Sequence, residues 1–202
     1  MPDDMNVVIR VDSSSAIGSG HLMRCLTLAE QLRKDKNAEV HFISRDLAGN
    51  MHGKVTDAGF MLHVLPAHPF DNSLDGYDAW LTVTQKIDAA ETKDILQVFG
   101  KVDRLVVDNY ALDIAWEQEM RPFVDEIFVI DDLANREHDC DILLDQNFYL
   151  AKENRYIGLV PEGCNLLLGP HYALLREDFY EARKHLRHRN SKLQNIVVFY
   201  RG

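Results

Sequence analysis

The sequence has little positive charge and no long apolar run. Its 202 residues include 22 Lys and Arg against 32 Asp and Glu, which gives a formal net charge of −10. An acidic chain lacks the basic face that binding to the phosphates of nucleic acid requires. No apolar run reaches the roughly 20 residues that cross a bilayer. The composition therefore predicts that neither nucleic acid nor a membrane is a partner, while a small anion held by one loop stays compatible with it.

Cysteine is also scarce. Cys25, Cys140 and Cys164 are odd in number and scattered, so they do not predict a disulfide framework. Their spacing suits no zinc site. The N-terminus is acidic and runs directly into a predicted strand, so we expect no signal peptide. Together with the lack of a membrane span, this predicts a cytoplasmic location.

Several well-known motifs are absent as well. The loop that contains Gly18 and Gly20 lacks the Lys-Ser/Thr ending of a P-loop. It also lacks the third glycine of a dinucleotide fingerprint, and Asp46 after the second predicted strand gives that interpretation only weak support. No Gly-x-Ser-x-Gly elbow follows a strand, which argues against a serine hydrolase. We therefore expect no cofactor.

What the sequence does contain is an alternation of strands and helices. Apolar runs predict strands, and apolar residues at helical spacing predict helices. The predicted strands are residues 6–11, 40–44, 61–65, 104–107, 127–130, 141–144, 165–168 and 194–200, and the predicted helices are residues 22–36, 50–58, 83–99, 113–120 and 174–188. This order predicts an α/β fold, a Rossmann-like parallel sheet with helices on both faces. Such sheets bind ligands at the carboxyl ends of their strands.

The most informative stretch is residues 10–25, RVDSSSAIGSGHLMRC. It predicts a strand, a loop with Gly18 and Gly20, and His21 at the start of a helix. The glycines permit positive φ and close backbone approach, and a helix N-terminus offers amides to an anion. That position disfavours the imidazolium, so we expect a neutral His21, as a general base near pH 7 requires. A small turn with a solvent-facing histidine explains the same residues, and both interpretations stay open.

Other polar residues near the predicted strand ends are candidate site residues, and each has a functional and a structural interpretation. Asp12, nine residues before His21, would orient the imidazole or cap a turn. Arg24, one helical turn after His21, would meet a substrate oxygen or form a surface salt bridge. Tyr110 would stack on or hydrogen-bond a sugar, or pack in the core with its hydroxyl at the surface.

Two carboxylates at one strand end, Asp131 and Asp132, raise the question of a metal site. No clear third ligand accompanies them, so a structural role in the loop is favoured. His138 and Cys140 are too few to bind zinc. We therefore expect no metal.

Four ordered motifs resemble the UDP-2,4-diacetamido-2,4,6-trideoxy-β-L-altropyranose hydrolase family of pseudaminic acid biosynthesis. They are RxD at 10–12 with IGxGHxxRCL at 17–26, VDxY at 107–110 with LD at 112–113 and WE at 116–117, IDDLANR at 130–136 with HxCD at 138–141 and LLDQN at 143–147, and GPxYALLR at 169–176. The resemblance covers most of residues 6–180. Four motifs in order are far more specific than one glycine loop.

The resemblance implies the N-terminal half of a GT-B architecture, similar to that of the lipid II N-acetylglucosaminyltransferase, in which two Rossmann-like domains face each other across a cleft. The family's histidine after the Gly-x-Gly loop falls on His21. It would be the general base that activates water against the anomeric carbon and releases UDP with inversion and without a metal. By analogy Asp12, Asp108 and Tyr110 would face the sugar, and Gly18, Gly20 and Arg24 complete the expected substrate-binding set.

The resemblance also implies a domain organisation. Residues 1–173 would be the catalytic domain, residues 174–193 a linker helix, and residues 194–202 the first strand of a C-terminal nucleotide-binding domain that the chain otherwise lacks. An ordinary last strand that completes the sheet is the alternative. We expect weak or absent hydrolysis from these 202 residues alone. The rival functions are a GT-B glycosyltransferase, and a non-catalytic sugar-binding or assembly fragment that self-associates through its final strand.

Overall fold

The computed structural model describes residues 5–186 together with Ile196 and Val198. The strands of this part of the chain are β1 (Asn6–Val11), β2 (Glu39–Arg45), β3 (Met61–Leu65), β4 (Val102–Asp108), β5 (Val124–Ile130), β6 (Ile142–Asp145) and β7 (Asn165–Leu168). Its α-helices are α1 (Gly20–Lys36), α2 (His52–Asp57), α3 (Gln85–Phe99), α4 (Ile114–Met120) and α5 (Glu177–Lys184). Short 3-10 helices occupy Asp78–Leu81, Arg121–Phe123, Lys152–Asn154 and Pro170–Tyr172.

All of these strands pair in parallel in one sheet of order β3-β2-β1-β4-β5-β6-β7. The Rossmann-like α/β fold that the sequence predicts is confirmed. No described helix is long and apolar enough to cross a membrane.

Helices cover both faces because successive strand residues point to opposite sides. In β1, Val7, Ile9 and Val11 join the core that α1 covers, whereas Val8 joins the core formed with α3 and α4. These side chains are fully buried, as expected for a central parallel strand. Arg10 points to the same face as Val8, where a charge must find an internal partner.

The last predicted helix is shorter than residues 174–188. It begins at Glu177, because Arg176 is extended and the amide of Leu174 donates to the side chain of Gln146 at 3.1 Å instead of continuing a helix. It ends at Lys184. The predicted strand at 194–200 lies outside the described residues, apart from the exposed Ile196 and Val198.

The sheet order reverses between β1 and β4. β1 leads into α1 on one face and β4 leads into α4 on the other, so their carboxyl ends border the crevice in which such sheets bind ligands. The register places Val11 beside Asp108. The loop after β1 and the end of β4 therefore meet at this crevice.

Candidate active site

The loop between β1 and α1 forms a tight turn around Ser14. The Ser14 carbonyl accepts a hydrogen bond from the Gly18 amide at 2.8 Å, and the Ser14 hydroxyl accepts one from the Ile17 amide at 3.0 Å. Gly18 has a φ of +80°, a conformation that favours glycine.

The helix that follows this loop begins without a side-chain cap. Gly20 is the first residue of α1, Ser19 makes no capping side-chain hydrogen bond, and the first turn contains no acidic residue. The first amides of α1 therefore keep their capacity to hold an anion at the sheet edge.

His21 meets the end of β4 directly. Its Nδ1 lies 2.6 Å from Asp108 Oδ1, and Arg24 holds the same carboxylate through Nε and Nη2, each at 2.6 Å. Asp108 is fully buried, whereas the side chains of His21 and Arg24 keep about a tenth of their surface exposed. The structure thus joins His21, Arg24 and Asp108 in one cluster.

The hydrogen bonds of this cluster define which imidazole nitrogen carries the proton. An ionised carboxylate can only accept, so Nδ1 of His21 donates to Asp108. Nε2 of His21 forms no hydrogen bond with a described residue, and the protein does not bury it completely. Nε2 therefore contacts solvent.

The carboxylate of Asp108 is ionised in this setting. Burial acts to raise its pKa, but the hydrogen bond from Arg24 and the adjacent His21 outweigh burial and hold the pKa well below its usual range. Cys25 lies beneath the cluster and its thiol donates to Asp108 at 3.3 Å. Burial raises the pKa of the Cys25 thiol, which stays protonated.

Three aromatic rings form a wall beside the imidazole, here called the aromatic wall: Tyr77, Trp80 and Tyr110. The ring of Tyr110 lies 4.6 Å from that of His21, and Trp80 lies 5.7 Å from it. Trp80 stacks on Tyr110 at 5.6 Å, and Tyr77 contacts both rings edge-on. Half-buried rings next to a polar site are suited to pack against the face of a sugar.

The hydroxyl of Tyr110 is part of the structure and not a free surface group. It donates a hydrogen bond to Asp132, which also accepts one from Asn147 at 2.8 Å. Burial and the adjacent Asp132 raise the pKa of Tyr110. The ring is thereby fixed against His21.

Sequence reasoning missed Tyr77 and Trp80. Residues 66–78 have the polar composition that is typical of a loop. Trp80 lies in the short helix Asp78–Leu81 at the end of this segment. The available signal was positional, since this segment follows the carboxyl end of β3 and precedes α3.

Asp12 does not contact His21. It is buried and accepts hydrogen bonds from Arg10 at 2.6 Å, from the Arg45 amide at 2.7 Å and from Asn109 at 2.9 Å. Asp12 thus ties the ends of β1, β2 and β4 together. The carboxylate that orients the imidazole comes from Asp108 instead.

The neighbouring carboxylates also have internal partners. Asp131 accepts from Arg136 at 2.7 Å and from the Ala134 amide at 3.0 Å. Burial raises the pKa of Asp131, but Arg136 and the Ala134 amide lower it further than burial raises it. Within the described residues no group of three acidic, His or Cys side chains is placed to hold a metal ion.

Sequence comparison identifies relatives of this chain, although no family model matches it. It is 30% identical over 180 residues to the UDP-2,4-diacetamido-2,4,6-trideoxy-beta-L-altropyranose hydrolase of Campylobacter jejuni, an alignment that covers 89% of this chain and 55% of that protein. It is 22% identical over 211 residues to the uncharacterized protein MJ1062 of Methanocaldococcus jannaschii, covering 98% of this chain and 37% of that protein. The chain thus spans about half, or less, of the curated relatives it matches.

Among solved structures, MurG of Acinetobacter baumannii has a similar fold. The TM-score is 0.51 at 10% sequence identity, over 80% of this chain and 44% of MurG. MurG has the GT-B architecture, so the predicted fold class, one Rossmann-like half of a GT-B fold, is confirmed.

Proposed function

The chain is a relative of the UDP-2,4-diacetamido-2,4,6-trideoxy-β-L-altropyranose hydrolase, and from this relationship we propose that it supplies the catalytic base of a nucleotide-sugar hydrolase. The substrate would be a UDP-linked diacetamido-trideoxy sugar, and the products UDP and the free sugar for pseudaminic acid synthesis. The observation that carries the proposal is His21, whose Nδ1 is bound to Asp108 while Nε2 contacts solvent at the crevice.

In the proposed reaction His21 removes a proton from water. The water oxygen forms a bond to the anomeric carbon, its proton passes to Nε2, and the bond from that carbon to the UDP oxygen breaks. A single displacement of this kind inverts the anomeric centre. Asp108 keeps the imidazole in the Nδ1–H form and stabilises the imidazolium that develops.

Arg24 also lies against the imidazole of His21. Its Nη2 is 3.1 Å from Nδ1 and donates to Asp108 at 2.6 Å, so the guanidinium contacts both members of the pair.

The leaving diphosphate needs positive charge or hydrogen-bond donors. We assign this role to the Gly18–Gly20 loop and the first amides of α1, which have no acidic neighbour in the first turn. The sugar would pack on the aromatic wall. The proposal needs no metal or cofactor. It includes the cytoplasmic location that the sequence predicts for the protein.

Two of the predicted substrate-binding residues receive indirect roles. Asp12 would hold the strand ends in place, and Arg24 would hold Asp108 and the imidazole. Both carboxylate oxygens of Asp12 already accept hydrogen bonds from internal donors. The predicted division into residues 1–173, 174–193 and 194–202 is kept as part of the proposal.

The test is UDP release from the UDP-sugar, measured in residues 1–202 and, if the gene encodes further residues, in the whole product as well. His21→Asn should lower turnover by about 10²–10⁴-fold. The matched control is His171→Asn, because His171 is an exposed histidine outside the cluster of His21, Arg24 and Asp108. Unchanged turnover in His21→Asn, with wild-type melting, would refute the assignment. We expect residues 1–202 alone to be weakly active or inactive.

The same assay separates hydrolysis from glycosyl transfer. UDP released promptly without any added acceptor supports the hydrolase. Release that depends on an added sugar acceptor would establish a glycosyltransferase of the same architecture. A chain that binds the sugar nucleotide without turnover in either form, and sediments as a dimer, would be the assembly fragment.

A further inference from the structure

Two of the three cysteines lie in contact, contrary to the scattered arrangement that their sequence positions indicate. The sulfur atoms of Cys140 and Cys164 are 3.6 Å apart although the residues are 24 positions apart in the chain. Both are free thiols. The proposed hydrolase reaction uses neither of them.

The backbone holds this thiol pair in register. Cys140 precedes β6 and Cys164 precedes β7, and the Asn165 amide donates to the Asp141 carbonyl at 2.8 Å, in the residues that directly follow the two cysteines. Asn165 also pairs with Ile142. The two cysteines therefore lie just before neighbouring strands, beside a backbone hydrogen bond that joins the two segments.

Exposure differs between the two sulfurs in a way that favours a sequential reaction. Cys140 is buried, with 2% of its surface exposed, whereas Cys164 is half-buried. A reagent from solution would reach Cys164 first. Cys140 would then be positioned behind it to react second.

We propose that Cys140 and Cys164 form a reversible disulfide when the protein meets a low-molecular-weight disulfide such as oxidised glutathione. The Cys164 thiolate attacks one sulfur of the reagent, so that a mixed disulfide forms and one thiolate leaves. Cys140 then attacks the Cys164 sulfur and displaces the second thiol, which takes up the Cys140 proton. The protein loses two protons and two electrons, and the reagent takes them up to become two thiols.

The hydrogen bond between the sulfurs supports this order of events. The bond from Cys140 lowers the pKa of the Cys164 thiol, which makes it the better nucleophile. The same bond and burial raise the pKa of Cys140. A disulfide bond of about 2.05 Å requires the two sulfurs to approach by only about 1.5 Å.

Cys25 provides an internal control. It is fully buried in α1, its thiol donates to Asp108, and burial raises its pKa. No other sulfur of the described residues lies within bonding contact of it. Cys25 should therefore stay reduced under conditions that oxidise the pair.

The disulfide would close a loop that supports the aromatic wall. Within this loop Arg155 donates to the Asp132 carbonyl at 2.7 Å and Tyr156 donates to the Asp131 carbonyl at 2.9 Å. Asp132 in turn holds Tyr110. Closing a loop of this length should raise the melting temperature by about 5–10 °C.

The experiment treats the full chain with oxidised glutathione, alkylates the remaining thiols and maps them by peptide mass spectrometry. We expect Cys140 and Cys164 to be linked and Cys25 to be alkylated. In the Cys140→Ser variant the reaction should stop at a glutathionyl group on Cys164. In the Cys164→Ser variant Cys140 should carry no glutathione. Reduction with dithiothreitol should restore both thiols.

The wild-type protein alone is sufficient to overturn the proposal if a serine variant does not fold. Free, alkylated Cys140 and Cys164 after treatment, with an unchanged melting temperature, would refute it. So would glutathione that remains stably attached to wild-type Cys164. Neither result depends on the hydrolase proposal, because no substrate is used.

Discussion

Two charged clusters lie near the carboxyl edge of the same sheet, and they differ in one respect. The closed cluster is built on Asp88, which accepts hydrogen bonds from Arg10 at 2.6 Å, Arg45 at 2.7 Å and Trp116 at 3.0 Å. Arg10, Arg45 and Asp88 have fully buried side chains. Every partner of Asp88 is internal.

The open cluster consists of His21, Arg24 and Asp108. Its carboxylate is as fully buried as Asp88 and has three partners, which are His21, Arg24 and Cys25. Its imidazole, however, has one nitrogen in use and one in contact with solvent. The closed cluster uses its charges to hold β1, β2 and α3 together, whereas the open cluster leaves Nε2 of His21 without an internal partner.

Asp108→Asn should produce the largest effect and would break the open cluster. The amide group can no longer enforce the Nδ1–H form of His21, so we expect UDP release to fall about 10³–10⁴-fold. The measurement is kcat for UDP release below the melting temperature. Asp108→Glu is the matched control and should recover part of the rate; kcat within tenfold of wild type in Asp108→Asn would show that His21 does not need this partner.

Asp88→Asn should instead act on stability. Removing one charge of a buried network leaves Arg10 paired with Asp12 alone and Arg45 paired with Glu91 alone, at a cost of about 3–5 kcal/mol. For a chain of this size that corresponds to a melting temperature lower by about 10 °C. Glu119→Gln is the control, because its ion pair with Lys93 is exposed and should cost at most about 2 °C. A variant of Asp88 that melts like wild type would contradict the structural role.

The pH dependence of stability should sharpen this contrast. Burial raises the pKa of Asp88, but Arg10 and Arg45 lower it further than burial raises it, so the folded pKa lies below the unfolded value of about 3.9. The stabilisation is therefore complete above the unfolded pKa and is lost as the pH falls through the folded pKa. Urea unfolding should give a constant difference between wild type and Asp88→Asn above about pH 5 and a shrinking one below about pH 4. A difference that grows on acidification would contradict the assignment.

The sequence was informative where contacts are local. Apolar runs and the spacing of apolar residues predict the strands from β1 to β7 and the start of α1 near His21. They do so because the residues on the buried face of each element are the apolar ones. Asp12, nine residues before His21, is the orienting carboxylate or a turn cap by sequence alone, whereas the carboxylate that contacts His21 is Asp108, 87 residues away. Pairing at that distance depends on the order of strands in the sheet.

The same limit applies elsewhere in the chain. Cys140 and Cys164 meet because β6 and β7 are neighbours, and nothing in their spacing indicates it. Trp80 was missed because a short helix within a polar segment leaves no apolar period. Composition and spacing describe one element at a time, while each of these contacts joins two.

One of the two tryptophans of the chain lies beside each cluster, so the same Trp→Phe substitution can be made at the closed cluster and at the open one. Of the predicted changes, we expect these to have the smallest effects. Trp116 is fully buried and its indole N–H donates to Asp88, so Trp116→Phe leaves a buried carboxylate short of a donor. We expect a melting temperature about 5 °C lower and an unchanged KM. Trp80 is half-buried beside His21 and Tyr110, so Trp80→Phe removes stacking area worth about 1 kcal/mol and should raise KM about fivefold with melting nearly unchanged. If both variants changed the same quantity, the division into a closed cluster and an open one would fail.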